Sequence, residues 1–269
     1  MRIPAADFLA KYRQLLLART PGIGVFAYWK MKYLIETGDC YHLPEHDCWY
    51  MIRDGHLLVY YAPDGQMHIS IGELNRLECV SLPTNLYASI KKRLVGFHAK
   101  SDWGLRYDFS YKPKGQEASR YEAVDFDFGN PAHYRKAARI INGDGKWLRG
   151  KNLKKAASNM TSLSAFDPAL WFFVRDRVTR KLAAISISAH CAEVRQTDLD
   201  YIFVAPEFQG KGCGRFLIEE TIRRCGEKSD DIRVAGTVAF YRRCGFVDYE
   251  QWVWAAKEGY KFKAEGIQP

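Results

Sequence analysis

Apolar positions at the start of the chain recur at helical spacing, with Phe8, Leu9, Tyr12, Leu15 and Leu16 on one side, until Pro21, Gly22 and Gly24 break the pattern. The period then shortens. Residues 49–52, 56–62 and 66–71 are β-rich runs separated by Asp54-Gly55 and by Pro63-Asp64-Gly65, and they predict a three-stranded antiparallel meander. After Pro83, the positions Leu86, Tyr87, Ile90 and Leu94 return to one helical face, and residues 103–111 alternate again. Residues 1–112 are expected to form an α/β domain. The polar stretch that follows contains Pro, Gly and Ser and no large apolar side chain, so a linker is placed at 113–120 and a second domain at 121–269.

In the second domain the spacing predicts a strand at 121–128, helices at 134–141 and 153–160, and strands at 171–175, 182–188 and 199–204. Leu217, Ile218, Thr221, Ile222 and Cys225 then share a face across 216–225, with Glu219, Glu220 and Arg223 opposite, which is the pattern of an amphipathic helix. A short strand at 232–235, a helix at 237–244 stopped by Gly245, and strands at 246–249 and 252–255 complete the pattern.

At 269 residues, 47% hydrophobic and 14% aromatic, the chain can fill two modest cores. A formal charge of +9 and a pI near 9.1 favour an anionic partner: a cofactor, a nucleic acid or an acidic substrate. No apolar run reaches the roughly 18 residues that a membrane helix needs. The opening residues read as an amphipathic helix, not a signal peptide, so no membrane association and a cytoplasmic setting are expected. Seven irregularly spaced cysteines agree with a reducing compartment.

The chemistry concentrates where the strand at 199–204 runs through Pro206 into Gln209, Gly210, Lys211, Gly212, Cys213, Gly214 and Arg215, and then into the amphipathic helix. Inward-pointing N–H groups of such a turn, with the positive end of the helix dipole behind them, favour an anion. Side chains at Gly212 and Gly214 would hold a phosphate away from the backbone. A P-loop is excluded because GxxxxGK followed by Ser or Thr is missing, and a Rossmann fingerprint would place glycine at Arg215. The third scheme is QxxGxG, met by Gln209, Gly212 and Gly214, and here the segment resembles the GCN5-related N-acetyltransferase (GNAT) family. The stretch 239–246 also resembles that family's late motif, with Tyr241 followed four residues later by the pair Gly245-Phe246.

The resemblance covers about residues 120–255 and implies a mixed, mostly antiparallel sheet flanked by helices; the α/β domain with an antiparallel meander that precedes it is read from the pattern and lies outside the resemblance. It also implies acetyl-CoA as co-substrate, no metal, and a small-molecule or protein amine as acceptor. By the same resemblance, 209–215 grips the diphosphate, the main chain of Ile202, Phe203 and Val204 pairs with pantetheine, the N–H of Ile202 faces the thioester carbonyl, and Tyr241 is the general acid. Asp198 stands where some members carry a catalytic Glu, and Asp200, two residues on, is the other carboxylate on that strand face. One departure is Val234, where the family often has an asparagine that orients the cofactor arm. A non-catalytic acyl-CoA sensor or an RNA-associated module that kept the fold is the alternative reading. The first domain runs loosely in the order of an acetyltransferase half, without a QxxGxG; a degenerate copy that shapes the acceptor pocket and an unrelated α/β domain both fit it.

Other features carry weaker signals. Cys40, His42, His46 and Cys48 make CxHxxxHxC, a ligand set that matches no familiar zinc spacing, and an aromatic polar loop entering the meander is expected instead. Cys213 at a helix start invites a lowered thiol pKa but has no partner base. Lys91, Lys92 and Arg93, with Lys151, Lys154 and Lys155, form basic clusters that read as solvated helix faces, and no nucleic-acid motif accompanies them.

Overall fold

The computed structural model describes residues 1–23, 26–112, 120–142, 165–236 and 238–260. The helix expected at 153–160, most of the linker, and Lys151, Lys154 and Lys155 lie outside them. Two compact units divide the chain: Met1–Leu105 with Asp248–Lys263, and Arg106–Val247 with Ala264–Pro269.

The first unit contains β1 (Arg2–Ile3), α1 (Ala5–Leu17), α2 (Tyr28–Leu34), β2 (Asp39–Leu43), β3 (Cys48–Arg53), β4 (His56–Tyr61), α3 (Ile71–Leu74), β5 (Cys79–Pro83), α4 (Thr84–Ile90) and most of β6 (Phe97–Tyr107). The α1 stripe of Phe8, Tyr12, Leu15 and Leu16 is buried as its spacing requires, and the Tyr12 hydroxyl donates to the carbonyls of Ile23 (2.9 Å) and Phe26 (2.7 Å). Asp54 and Gly55, with φ of 49° and 74°, make the left-handed turn of the β3–β4 hairpin.

Two expectations for this unit are corrected. Residues 66–71 are not a strand: the Ser70 hydroxyl accepts the Glu73 N–H (3.2 Å) while the Glu73 carboxylate accepts the Ser70 N–H (3.2 Å), and this capping box starts α3. The meander is β2–β3–β4, because the supposed polar loop from Cys40 to Cys48 is itself a hairpin that turns at Pro44–His46 and at left-handed Asp47. Cys40 and Cys48 are buried and desolvation pushes both thiols up to about 11. His46 stacks on His68 with ring centroids 3.8 Å apart.

The second unit contains the end of β6, β7 (Tyr121–Asp125), α5 (Pro131–Ile141), β8 (Trp171–Asp176), β9 (Leu182–Cys191), β10 (Gln196–Val204), α6 (Cys213–Cys225), β11 (Asp231–Ala235), α7 (Val238–Arg242) and the start of β12 (Phe246–Lys257). Its strands run β11-β10-β9-β8-β7, antiparallel except for the parallel β10–β11 pair. Successive β8 side chains point to opposite faces: Trp171 and Phe173 pack with the α5 residues Tyr134, Ala137 and Ile141, and Phe172 and Val174 pack with the α6 residues Cys213 and Leu217. All four β8 residues are fully buried, which is why the segment reads as a continuous apolar run.

The strands expected at 246–249 and 252–255 are one continuous strand, β12. Whereas the sequence places everything from 121 to 269 in the second domain, residues 248–260 group with the first unit. The reason is pairing: Trp252 to Ala256 run antiparallel to Pro83 to Cys79 of β5, and Val253 and Ala255 enter the core that contains Leu57, Val80, Leu82 and Leu86. Val253→Asp would bury a carboxyl group in that core at a cost, even when neutral, of several kcal/mol (about 2–7). Amide exchange is expected to accelerate in β5 while β8 and β9 keep their protection; equal loss in both would contradict this grouping.

Gly245 closes the turn from α7 to β12 with φ at 91°, and a Cβ there would meet the Tyr111 ring at 2.5 Å and the Tyr107 ring at 3.0 Å. Gly212 is also left-handed (φ 82°) but has nothing within 4 Å of a Cβ. Both alanine variants incur the left-handed penalty of about 1–2 kcal/mol, and only Gly245→Ala adds a clash. Its melting temperature is expected to fall well below that of Gly212→Ala, and equal melting would show that the aromatic pair does not crowd the turn.

Candidate functional site

The parallel β10–β11 ladder has three rungs, Gln196↔Asp231, Thr197↔Ile232 and Asp198↔Arg233, and then stops. β10 continues to Val204 still paired with β9, so the edge of residues 199–204 that would face β11 is left open to other partners. A bulge between Leu199 and Tyr201 marks the point of departure. The bulge also breaks side-chain alternation, so the expectation that Asp198 and Asp200 share a face does not follow from strand geometry. Asp198 lies on the last rung and Asp200 in the bulge itself, and both are half-buried.

Beyond β10, a single 3-10 turn at Pro206–Phe208 leads to Gln209 in extended conformation, then to Gly210 and Gly212 with φ of 72° and 82°. Gly212 is the residue preceding α6, and no side chain caps that helix. The first-turn N–H groups therefore point out at an exposed turn, with the positive end of a 13-residue helix behind them. Three contacts hold the turn. The Gln209 side chain donates to Val204 O (3.1 Å), Lys211 Nζ to Glu207 O (2.7 Å), and the Tyr121 hydroxyl to Lys211 O (3.0 Å). Tyr121 was read from sequence only as a strand residue, and nothing in its local pattern announces the second role.

The glycines also have reasons within the fold itself. At Gly210 and Gly212 the left-handed backbone is the constraint, since a Cβ would meet nothing within 4 Å. At Gly214 the constraint is packing, because a Cβ would lie 3.1 Å from the Phe240 ring and 3.5 Å from Val204. That contact joins the end of β10, the start of α6 and the helix α7. Arg215 adds a second tie by donating to Arg243 O (3.4 Å). Cys213 is fully buried and desolvation, reinforced by the charge of Asp176, pushes its thiol up to about 12, so it is unreactive despite its place at the helix start.

Tyr241 on α7 packs edge-on against Phe240 (5.1 Å) and Phe246 (5.6 Å), and 7% of it is exposed. Among the described residues its hydroxyl neither donates nor accepts a hydrogen bond. The two phenylalanines clamp the ring. Burial, and secondarily Cys244, push the phenol up to about 12, so it is neutral and carries its proton throughout the physiological range. Val234 is buried on β11 and presents no polar group.

Residues 169–248 match the profile of the acetyltransferase (GNAT) domain. No curated protein matched the chain by sequence. Among solved structures, a GCN5-related N-acetyltransferase from Sphaerobacter thermophilus is similar over 100% of this chain and 95% of its own, with a TM-score of 0.65 at 15% identity. A GNAT-family acetyltransferase from Colwellia psychrerythraea is similar over 96% and 99%, with a TM-score of 0.63 at 13% identity. A tandem GNAT protein of the clavulanic acid biosynthesis pathway is similar over 97% and 98%, with a TM-score of 0.59 at 14% identity. The fold likeness therefore extends over both units, and residues 169–248, all but the last of them in the second unit, carry the acetyltransferase (GNAT) domain.

Proposed function

We propose that the second unit moves an acyl group, acetyl in the first instance, from coenzyme A to the amine of a small molecule or protein by direct attack. The observation that carries the proposal is the clamped, proton-bearing Tyr241 phenol. It stands on the same assembly of β10, α6 and α7 that presents an open strand edge and an uncapped helix N-terminus.

The residues fit such a co-substrate. The N–H groups from Gly210 to Gly214, with the cationic side chains of Lys211 and Arg215 beside them, suit a diphosphate, and Gln209 braces the turn that presents them. The main chain of Ile202, Phe203 and Val204, unpaired with β11 and engaged at Val204 O by Gln209, suits the amides of pantetheine, with the Ile202 N–H toward the carbonyl oxygen that gains charge during attack. Coenzyme A supplies the acyl group as a thioester. A new C–N bond forms as the C–S bond breaks; Tyr241 gives its proton to the departing sulfur, and Asp198 accepts the proton that the amine loses. Near neutrality nearly all of the Tyr241 phenol is protonated.

A second reading, a non-catalytic acyl-CoA sensor, is favoured by Val234, which takes from the cofactor arm the polar partner that an asparagine would give. Acetyl-CoA would then raise the melting temperature with no thiol release across an amine panel.

Tyr241→Phe is expected to lower turnover by at least about tenfold, the lower end of what general acid catalysis supplies, while acetyl-CoA affinity measured by calorimetry changes little. Undiminished turnover in a folded variant would remove the acid role. Asp198→Asn is expected to lose activity mainly on the acid side of the pH–rate profile, where the amine most needs deprotonation. A profile parallel to wild type would remove Asp198 as base.

A further inference from the structure

The first unit has an open parallel pair of its own. β4 and β5 share only the rungs His56↔Cys79 and Leu57↔Val80 before they separate. At the wide end is a cavity of about 450 Å³, within the range of small-molecule sites. Tyr60 and Tyr61 line it from β4, Pro83 and Asn85 from β5 and α4, and Glu250 and Gln251 from β12. All lie within the first unit.

An anion cradle is absent from this cleft, for reasons that are local. The segment after β4 leads to α3, a single turn of four residues whose capping box engages the Ser70 and Glu73 N–H groups and places the Glu73 carboxylate at the helix start, where it disfavours an anion. In a chain of formal charge +9, the only charged side chain among the described residues lining the cavity is an acid, Glu250. One of its carboxylate oxygens accepts the Gly22 N–H, which fixes its orientation at the cavity wall. The Tyr60 ring is fixed as well, since its hydroxyl donates to Gln66 O (2.6 Å) and accepts from the His68 N–H (2.8 Å). Tyr61 already has the Lys11 ammonium 5.9 Å from its ring, and Lys11 is paired with Asp47 at 3.2 Å. A carboxylate, fixed aromatic rings and neutral amides around a small cavity are the elements that recognise an organic ammonium ion.

We propose that the cleft of the first unit binds a small organic ammonium ion, with Glu250 as counter-ion and the tyrosine rings as its apolar wall. The site needs no contribution from coenzyme A, so it stands or falls independently of the acyltransferase reading.

The test is a thermal-shift and calorimetric titration of the full chain at about 0.15 M salt, where exposed charge pairs are largely screened. The probes are benzylamine, its neutral isostere benzyl alcohol, benzoate and acetyl-CoA. Benzylamine is expected to bind wild type and to lose at least tenfold in affinity to Glu250→Gln, whose amide oxygen can still accept the Gly22 N–H. Asn85→Arg, a change at an exposed position, is expected to abolish benzylamine binding by placing a cation at the cavity. Benzyl alcohol and benzoate are expected to bind at least tenfold more weakly than benzylamine, and the response to acetyl-CoA is expected to be the same in both variants as in wild type. Equal benzylamine affinity in wild type, Glu250→Gln and Asn85→Arg would overturn the proposal. So would benzyl alcohol binding as tightly as benzylamine, or no benzylamine binding to wild type at all.

Discussion

Asp231 accepts from Arg106 Nε at 2.6 Å, from Arg233 Nε at 2.6 Å and from the Gln196 side chain at 2.9 Å, all at the closed end of the β10–β11 pair. Burial by itself would push this carboxyl up, but the charges of Arg233 and Arg106 more than offset that and hold it below the usual carboxylate range. A parallel ladder of three rungs is a weak attachment, and a network that needs all its charges present to be satisfied is what fixes the strands there. With one end fixed, separation at the other end leaves an open edge without letting the sheet come apart. The uncapped start of α6 and the phenol of Tyr241 are then held relative to that edge by the contact of Gly214 with Phe240 and Val204. The proposed chemistry of the second unit depends on this arrangement of one closed and one open end.

What the sequence reveals follows from how local each cause is. The α1 stripe, the β3–β4 hairpin at Asp54-Gly55 and the α6 face come from spacing and turn chemistry within a few residues, and the structure has them where the pattern places them. β5 was missed because its five residues include Cys and Ser, and four of the five are buried, so neither alternation nor an apolar run marks it. Residues 66–71 alternate like a strand, yet one Ser70–Glu73 pair decides for a helix start, and capping outweighs pattern in so short a segment.

The site is legible to different depths. QxxGxG and the late tyrosine can be read directly, because backbone conformation and helix start dictate the residue types. The reason for Gly214 cannot, since it depends on Phe240, 26 positions away in the numbering (240 − 214) and brought near only by the fold. The same holds for Tyr121 on the Lys211 carbonyl and for Gly245 beneath two tyrosine rings. The return of β12 to β5 is the least local of all, and alternation within 246–257 carries no information about which strand it will meet.

The two units run through similar element orders, and each separates a parallel strand pair after two or three rungs. What differs is the chain immediately beyond the longer strand of the pair. In the second unit, left-handed glycines deliver the chain into a 13-residue helix with its first donors free of side-chain caps, and the local field favours an anion. In the first, a four-residue helix opens on a capping box that places the Glu73 carboxylate at its start, and β12 brings Glu250 to the cavity wall. A small set of residues at the mouth of the opening thus reverses the sign of charge that each cleft accepts, while the sheet geometry that creates the opening stays the same. Strand separation supplies the space, and capping chemistry decides what can occupy it.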